Sequence, residues 1–387
     1  MLLNFEMKTI LDTSNVFEYL AEIKYCHLSD KDTSNILVIN TKNFNLAIEF
    51  SDGRHLLVKQ ERYHDPENAG GEFWTAWQMH RLVEHFPDFG EKIKEFLPNL
   101  LHFDPDNSIL VVEYVSDYCD LHGYYDRENQ FPISIASSIG RLLGTIHSQT
   151  FERAEYQQFL RPVTAQTSNS PDRSYADEII ERLGRITPQI LRIMPHECLQ
   201  FFKLYQRFPS LSRAIVELRD AITPSCLVHN DLKINNILLD LAWQHPGSPV
   251  IRLIDWENAA WGDPAFDLGC ILGSYLEIWL GGLVISNTLS INESLQLATT
   301  PLELLQPSLA ALTNSYLESF PTIVDLRPDY LDRAIQFAGL SLIQRVEITI
   351  DEHRVFGNRG IVMLQVAKQA ICTPQAAMGN LFGTAKR

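Results

Sequence analysis

The stretch LVHNDLKINNIL, residues 227–238, crowds His229, Asp231, Lys233 and Asn236 between two apolar runs, CLV and ILLD. Apolar runs this short, bounded by polar residues, read as strands, which places the titratable cluster in the loop between them. A carboxylate held there can accept or orient a proton. The next apolar run, IRLI, delivers a second acid, Asp255, at its end, and a polar loop follows. Asp and Asn oxygens are hard donors of the kind Mg2+ takes, a cation that keeps several waters and draws further ligands from nucleotide phosphates. Neither His nor Cys accumulates in these loops as a transition metal would require. Taken alone, the same residues also fit a solvated turn, with Asp231 as a cap and Lys233 facing water.

The flanking elements decide what such loops can do. NILVIN and NLAIEF flank the polar loop TKNF, SDG turns the chain into RHLLVKQE, and LPNLLHFDPDNSILVVEYV gives two further strands around the turn DPDN. Between them, EFWTAWQMHRLVEHF spaces Phe73, Trp77, Met79, Leu82, Val83 and Phe86 as a helix does. The first 115 residues therefore suggest an antiparallel sheet carrying one helix. Beyond EYVSD the pattern turns helical. ISIASSIGRLLGTIHSQ sets Ile139, Leu142, Leu143 and Ile146 on one face, residues 150–225 are mainly helical around a mobile loop, TAQTSNSPDRS, and 268–283 and 329–371 read as further buried helices.

The bulk composition narrows the partners. A chain of 387 residues can bury one large core or two modest ones. Forty-eight acids against 32 Lys and Arg give a formal charge of −16, and no dense basic run supplies phosphate contacts, which disfavours nucleic acid and anionic membrane. Cys26, Cys119, Cys198, Cys226, Cys270 and Cys372 are scattered without a C-x-x-C pair, as suits reduced thiols in the cytoplasm. MLLNFEMKTI has neither the basic nor the apolar region of a signal peptide. The most apolar stretch, LGCILGSYLEIWLGGLVI, carries Glu277 and reads as a buried helix rather than a membrane span.

HNDLKINN together with LIDWE resembles the catalytic loop and metal-binding aspartate of the aminoglycoside phosphotransferase family, which includes choline, homoserine and methylthioribose kinases. WGDPAFDLG continues as that family does, and the loop is also similar to the protein-kinase pattern H-R-D-L-K-P-E-N followed by D-F-G. Upstream, the pattern asks for a strand lysine, a helix-opening glutamate and a hinge after a short strand. Lys59, Glu72 and the stretch Glu113, Tyr114, Val115 arrive in that order. The resemblance covers roughly residues 35–280. It implies a bilobal α+β protein-kinase-like fold, with a small antiparallel β-sheet N-lobe (1–115) that binds nucleotide and a larger, mainly helical C-lobe (116–387) for catalysis and acceptor.

The resemblance further implies an ATP- or GTP- and Mg2+-dependent phosphotransferase acting on a hydroxyl. Asp231 would take or orient the hydroxyl proton, and Asn236 and Asp255 would hold Mg2+. Lys59, paired with Glu72, would clamp the phosphates; a plain surface ion pair is the alternative there. The Glu113 carbonyl and Val115 N–H would meet adenine. His229 and Asp267 would brace the loop. Lys233 would reach the transferred phosphate or simply face solvent, and Glu257 would touch the metal or cap its turn. NTKNFN lacks the glycines of a protein-kinase phosphate loop, and no A-P-E element follows DWE, which argues against a protein kinase with an activation loop. The acceptor so implied would be a metabolite or an aminoglycoside-like antibiotic. Alternatives are a peptide Ser/Thr hydroxyl, phosphorylated before elimination during ribosomal-peptide maturation, and a non-catalytic nucleotide-binding scaffold. A hydrolase built on paired carboxylates would not need Lys59, the hinge or the asparagine.

Overall fold

The computed structural model describes residues 9–40, 43–62, 73–161, 175–184, 194–245, 250–284, 288–289, 293–294 and 297–382. Contacts divide the chain into two compact units, one comprising Met1–Cys119, Leu160–Pro171 and Asp240–Asn258, the other Asp120–Phe159, Asp172–Leu239 and Ala259–Arg387.

In the first unit five antiparallel strands, β1 (Asn35–Asn40), β2 (Phe44–Glu49), β3 (His55–Gln60), β4 (Leu100–Asp104) and β5 (Ile109–Glu113), form a sheet in the order β1-β2-β3-β5-β4. The DPDN turn closes because the Asp104 side chain accepts the Asp106 and Asn107 N–H groups at 3.0 and 3.1 Å. Strand residues alternate between the two faces of a sheet. In β3 this buries Leu56, Val58 and Gln60 and turns Leu57 and Lys59 the other way. The buried face packs with Leu46, Ile48, Ile109 and Val111 against Val16, Phe17 and Leu20 of helix α1 (Val16–Glu22). Helix α2 (Phe73–His85) forms where the apolar spacing places it, and α3 (Pro87–Ile93) follows with its proline in the first turn. The two seven-residue helices α1 and α3 exceed the one helix foreseen; two turns are too few for a 3.6-residue period to stand out.

A short strand, β6 (Tyr118–Asp120), follows, and the second unit is mainly helical. Its labelled helices are α4 (Leu121–Glu128), α5 (Ile133–Thr150), α6 (Ala154–Leu160), α7 (Tyr175–Gly184), α8 (His196–Tyr205), α9 (Pro209–Asp220), α10 (Pro264–Gly281), α11 (Leu302–Ser319), α12 (Tyr330–His353) and α13 (Asn358–Cys372), although Leu160, the last residue of α6, belongs to the first unit. TAQTSNSPDRS lies outside the described residues. The apolar face of α5, with Ile139, Leu142, Leu143 and Ile146, is buried, and α5 packs against α11. The approach is backbone to backbone. A Cβ on Gly140 would stand 2.0 Å from the Leu312 carbonyl oxygen, and one on Gly144 2.7 Å from that of Tyr316.

The apolar stretch after Leu268 is α10, buried along most of its length and packed on α12. Its start is fixed by Asp263, whose side chain accepts the Ala265 N–H at 3.0 Å and pairs with buried Arg333 at 3.0 Å. An N-cap carboxylate of this kind satisfies an otherwise orphaned helix donor and favours the helix dipole. No described helix is long and apolar enough to cross a membrane.

Candidate active site

In the first unit, β9 (Ile251–Leu253) leads the chain to Asp255, whose backbone sits in the left-handed region with φ 60°. A non-glycine residue there costs on the order of 1 kcal/mol, so its neighbours must hold it. Buried Trp256 does so, its indole N–H donating to the Leu253 carbonyl at 3.1 Å, and α2 packs against the turn Trp256–Asn258. Lys59 Nζ, on the outer face of β3, donates to Asp255 Oδ1 at 2.6 Å. Burial works against the Lys59 charge, but the carboxylates of Asp255 and Glu257 outweigh it and hold its pKa above the usual lysine value. The ammonium and the strand-end carboxylate are therefore one ionised pair. Glu72, foreseen as the lysine's partner, lies outside the described residues, as do Thr41 and Lys42 of the NTKNFN loop.

The hinge residues follow β5. The Glu113 N–H donates to the Asn99 carbonyl at 2.9 Å and the Tyr114 N–H to that of His55 at 3.0 Å. Val115 is half-buried just beyond these bonds.

In the second unit, β7 (Cys226–Val228) pairs antiparallel with β10 (Ala260–Gly262), and the polar loop runs from β7 to β8 (Ile237–Asp240). Buried Asp267, in the first turn of α10, accepts the His229 N–H at 2.6 Å and the Asn230 N–H at 2.9 Å. Two charge-assisted bonds from adjacent amides fix the chain as it turns through Asn230, itself left-handed at φ 64°. His229 is buried, and its Nδ1 accepts the Asp231 N–H at 3.4 Å. Beneath the loop the Ile234 N–H donates to Ser274 Oγ at 3.0 Å.

So held, the loop gathers Asp231, Lys233 and Asn236. Lys233 Nζ donates to Asp231 Oδ2 at 2.8 Å, and Asn236 Nδ2 donates to the same oxygen at 3.0 Å and to the Asp231 carbonyl at 2.8 Å. Because only the amide nitrogen can donate to a carboxylate, the Asn236 carbonyl oxygen is the end left for a cation. That oxygen is a hard donor of the kind Mg2+ favours, and so, in the first unit, is the Asp255 carboxylate.

The loop has neighbours that no sequence pattern announced. Gln344 Nε2, on α12, donates to the Tyr175 hydroxyl at 3.1 Å. Burial pushes the Tyr175 phenol up, and the charge of Asp231 adds to it, which places this ring within electrostatic reach of the carboxylate. The same unit carries an open cavity of about 1000 Å3 whose walls include His122, Tyr125, Ser274, Glu277, Arg345 and Arg359. Ser274 thus serves both the loop and the cavity, and Arg345 pairs with Glu277 at 2.5 Å along its wall.

One turn beyond Gln344, Glu347 is largely buried, with Arg182 3.6 Å from its Oε2. Burial pushes its carboxyl up to about 7; Arg182 pulls it down and Asp351 pushes it up again. A carboxyl that binds its proton more tightly folded than unfolded stabilises most below the unfolded value of 4.5, and that stability is lost as pH rises through about 7. Glu347→Gln is expected to stabilise the fold at pH 8, by ~3 kcal/mol at most, and so to raise the melting temperature there. The advantage should shrink steadily toward pH 5; a gap that ignores pH between 5 and 8 removes the titration from the account.

Comparison with known proteins places this architecture. Residues 112–293 match the profile of the phosphotransferase enzyme family, APH, a stretch that contains the loop, Asp255 and Asp267. No curated protein matches the chain. Among solved structures, an ethanolamine kinase of Plasmodium vivax aligns with a TM-score of 0.53 at 12% identity, over 93% of this chain and 90% of that one. Amicoumacin kinase hAmiN, solved with AMP-PNP and Ca2+, gives 0.53 at 10% identity over 94% of each chain. Choline kinase LicA of Streptococcus pneumoniae gives 0.50 at 14% identity, over 93% and 98%. These likenesses establish the protein-kinase-like fold that the order of motifs implied.

Proposed function

We propose that this chain, whose residues 112–293 are a phosphotransferase-family segment, moves the γ-phosphoryl group of ATP to a hydroxyl of a small molecule with the help of Mg2+. The observation that carries the proposal is the Asp231 carboxylate, bonded by Lys233 and Asn236 on a loop that Asp267 ties down. Phosphoryl transfer asks for positioning and charge neutralisation rather than covalent chemistry, and a pinned loop of this kind supplies positioning.

We assign nucleotide binding to residues 1–115 and acceptor binding to residues 116–387. Asp231 would take the proton of the acceptor hydroxyl, and Lys233 would exchange the carboxylate for the more highly charged phosphoryl oxygens. Asn236 and Asp255 would hold the metal, which when bound supplies positive charge to the phosphates. Lys59 would contact the phosphates, steadied by Glu72, while the Glu113 carbonyl and Val115 N–H would meet adenine. His229 and Asp267 would keep the loop in register. The cavity beside Ser274 is roomy enough for a metabolite-sized or antibiotic-sized acceptor.

Thermal unfolding tests the nucleotide part. ATP with Mg2+ should stabilise the protein by about 2.7 kcal/mol at a hundred times its Kd, and EDTA should remove most of that gain. No shift with Mg2+ and either ATP or GTP would sink the proposal.

A further inference from the structure

Ser274 Oγ accepts the N–H of Ile234, three residues past Asp231, and so joins the loop to the wall of the open cavity. Much of that wall is already bonded to itself. Thr299, Thr300 and Thr349 spend their hydroxyl protons on the Gly282 carbonyl, the Asn129 side chain and the Arg345 carbonyl. The charged groups are spent less evenly. Asp126 stands 3.3 Å from His122 Nδ1, and Glu277 Oε1 stands 2.5 Å from Arg345 Nε. A guanidinium offers five N–H donors in a flat fork, and the edge formed by its two terminal nitrogens can take a carboxylate or a phosphate bidentately. Arg345 has engaged its Nε, and among the described residues no acceptor besides Glu277 meets its side chain. Arg359, exposed in the first turn of α13, has no hydrogen bond or ion pair with any described residue. In a chain with 48 acids against 32 Lys and Arg, two guanidiniums with unspent donors lining one cavity run against the average.

We infer that the acceptor of this chain carries an anionic group, a carboxylate or a phosphate, besides the hydroxyl it offers to Asp231, and that Arg345 and Arg359 hold that group. The inference rests on the cavity being the acceptor site of the proposed phosphotransferase. Arg345 suits the task because Glu277 holds its Nε side. The fork is oriented before the anion arrives, and little side-chain freedom is lost on binding. Arg359 adds charge with no carboxylate beside it. An ammonium-bearing acceptor is served less well. The two acids of the wall, Asp126 and Glu277, each already stand against a base, and an amine would have to part Glu277 from Arg345 or lie among like charges.

Gluconate, glucitol phosphate, glucitol and glucamine share one polyol chain and end in carboxylate, phosphate, hydroxyl and ammonium. The side-chain Nε–H signals of Arg345 and Arg359 in heteronuclear NMR, assigned from Arg345→Gln and Arg359→Gln, report binding without nucleotide. At least one of the two anions should move both signals and bind about tenfold or more tightly than glucamine. Whichever anion binds more tightly identifies the group as carboxylate or phosphate. Each glutamine variant should remove most of the preference over glucamine. Should Arg345→Gln fail to fold, Arg359→Gln, at an exposed helix start, supplies the same measurement. Signals unmoved by both anions, or glucamine bound as tightly as they are, overturn the inference. With Mg2+ and ATP, the preferred anion should be phosphorylated with a kcat/KM about tenfold or more above that of glucamine. Preferential phosphorylation of glucamine overturns the anionic acceptor and leaves the phosphotransferase proposal standing. Anion binding through both arginines supports the site by itself; if the same protein is inert toward Mg2+ and ATP, it is the phosphotransferase proposal that falls.

Discussion

Asp231→Ala should lower phosphoryl transfer by about 10²–10⁴-fold, the range for losing a positioned general base, and leave the Kd for ATP within about threefold. The direction follows from where the carboxylate spends its hydrogen bonds. It accepts from Lys233 and Asn236 of its own loop. The lysine held by the first unit's strand-end carboxylate pairs with Asp255 instead. Asp231→Asn refines the test, because it keeps the shape and removes the charge. If transfer loss reflects only a collapsed loop, the asparagine variant should retain most activity; if the carboxylate itself takes the proton, it should be nearly as impaired as the alanine. A Kd for ATP weakened more than about tenfold in either variant would place Asp231 with the nucleotide rather than the acceptor.

Asp255→Ala should have the second large effect. On the proposed assignment Asp255 holds the metal beside the phosphates, so its loss should remove roughly 10³-fold or more of the rate and abolish the Mg2+-dependent part of the thermal shift with ATP. The fold should pay less. Breaking a fully buried ion pair costs several kcal/mol, but a third of the Asp255 side chain is exposed (34%), so the loss should be nearer 1 kcal/mol. Calorimetry of the ligand-free protein together with ATP titrations in Mg2+ and in EDTA separates the two quantities. An Asp255→Ala protein that keeps its metal-dependent shift means the cation is held by other residues.

The parts of the fold that sequence disclosed are those whose signal is local. HLLVKQ is a short apolar run that reads as a strand and forms one, but its three consecutive apolar residues do not say which face Lys59 takes; the alternating burial does. Asp231, Lys233 and Asn236 fall within six residues, and a single short loop is enough to bring them together. Asp267 bonds amides 37 and 38 residues away, and only the family resemblance pointed to it. Buried His147, on α5, has its Nε2 3.4 Å from Asp267 Oδ2 across 120 residues of chain, Tyr175 is 169 from Gln344, and nothing in their neighbourhoods marks them. In a helical pattern both read as ordinary face residues, since periodicity states which side is buried and not what it is buried against. The short helices α1 and α3 escaped for the opposite reason, having too few turns to show a period at all.

The contact of α5 with α11 bears on how this protein can change over generations. At most core positions an enlarged side chain can be answered by a smaller one across the interface, and the pair drifts together. Gly140 and Gly144 face the carbonyl oxygens of Leu312 and Tyr316, atoms that every amino acid carries alike. No substitution in α11 can make room for a methyl group there, so neither glycine has a compensating partner. Their separation from α11 also fixes how far His147 stands from Tyr316, since each helix carries one member of that hydrogen-bonded pair. A lineage descended from this chain is therefore free to re-tune the cavity near Ser274, where side chains meet side chains, while this helix spacing stays where it is.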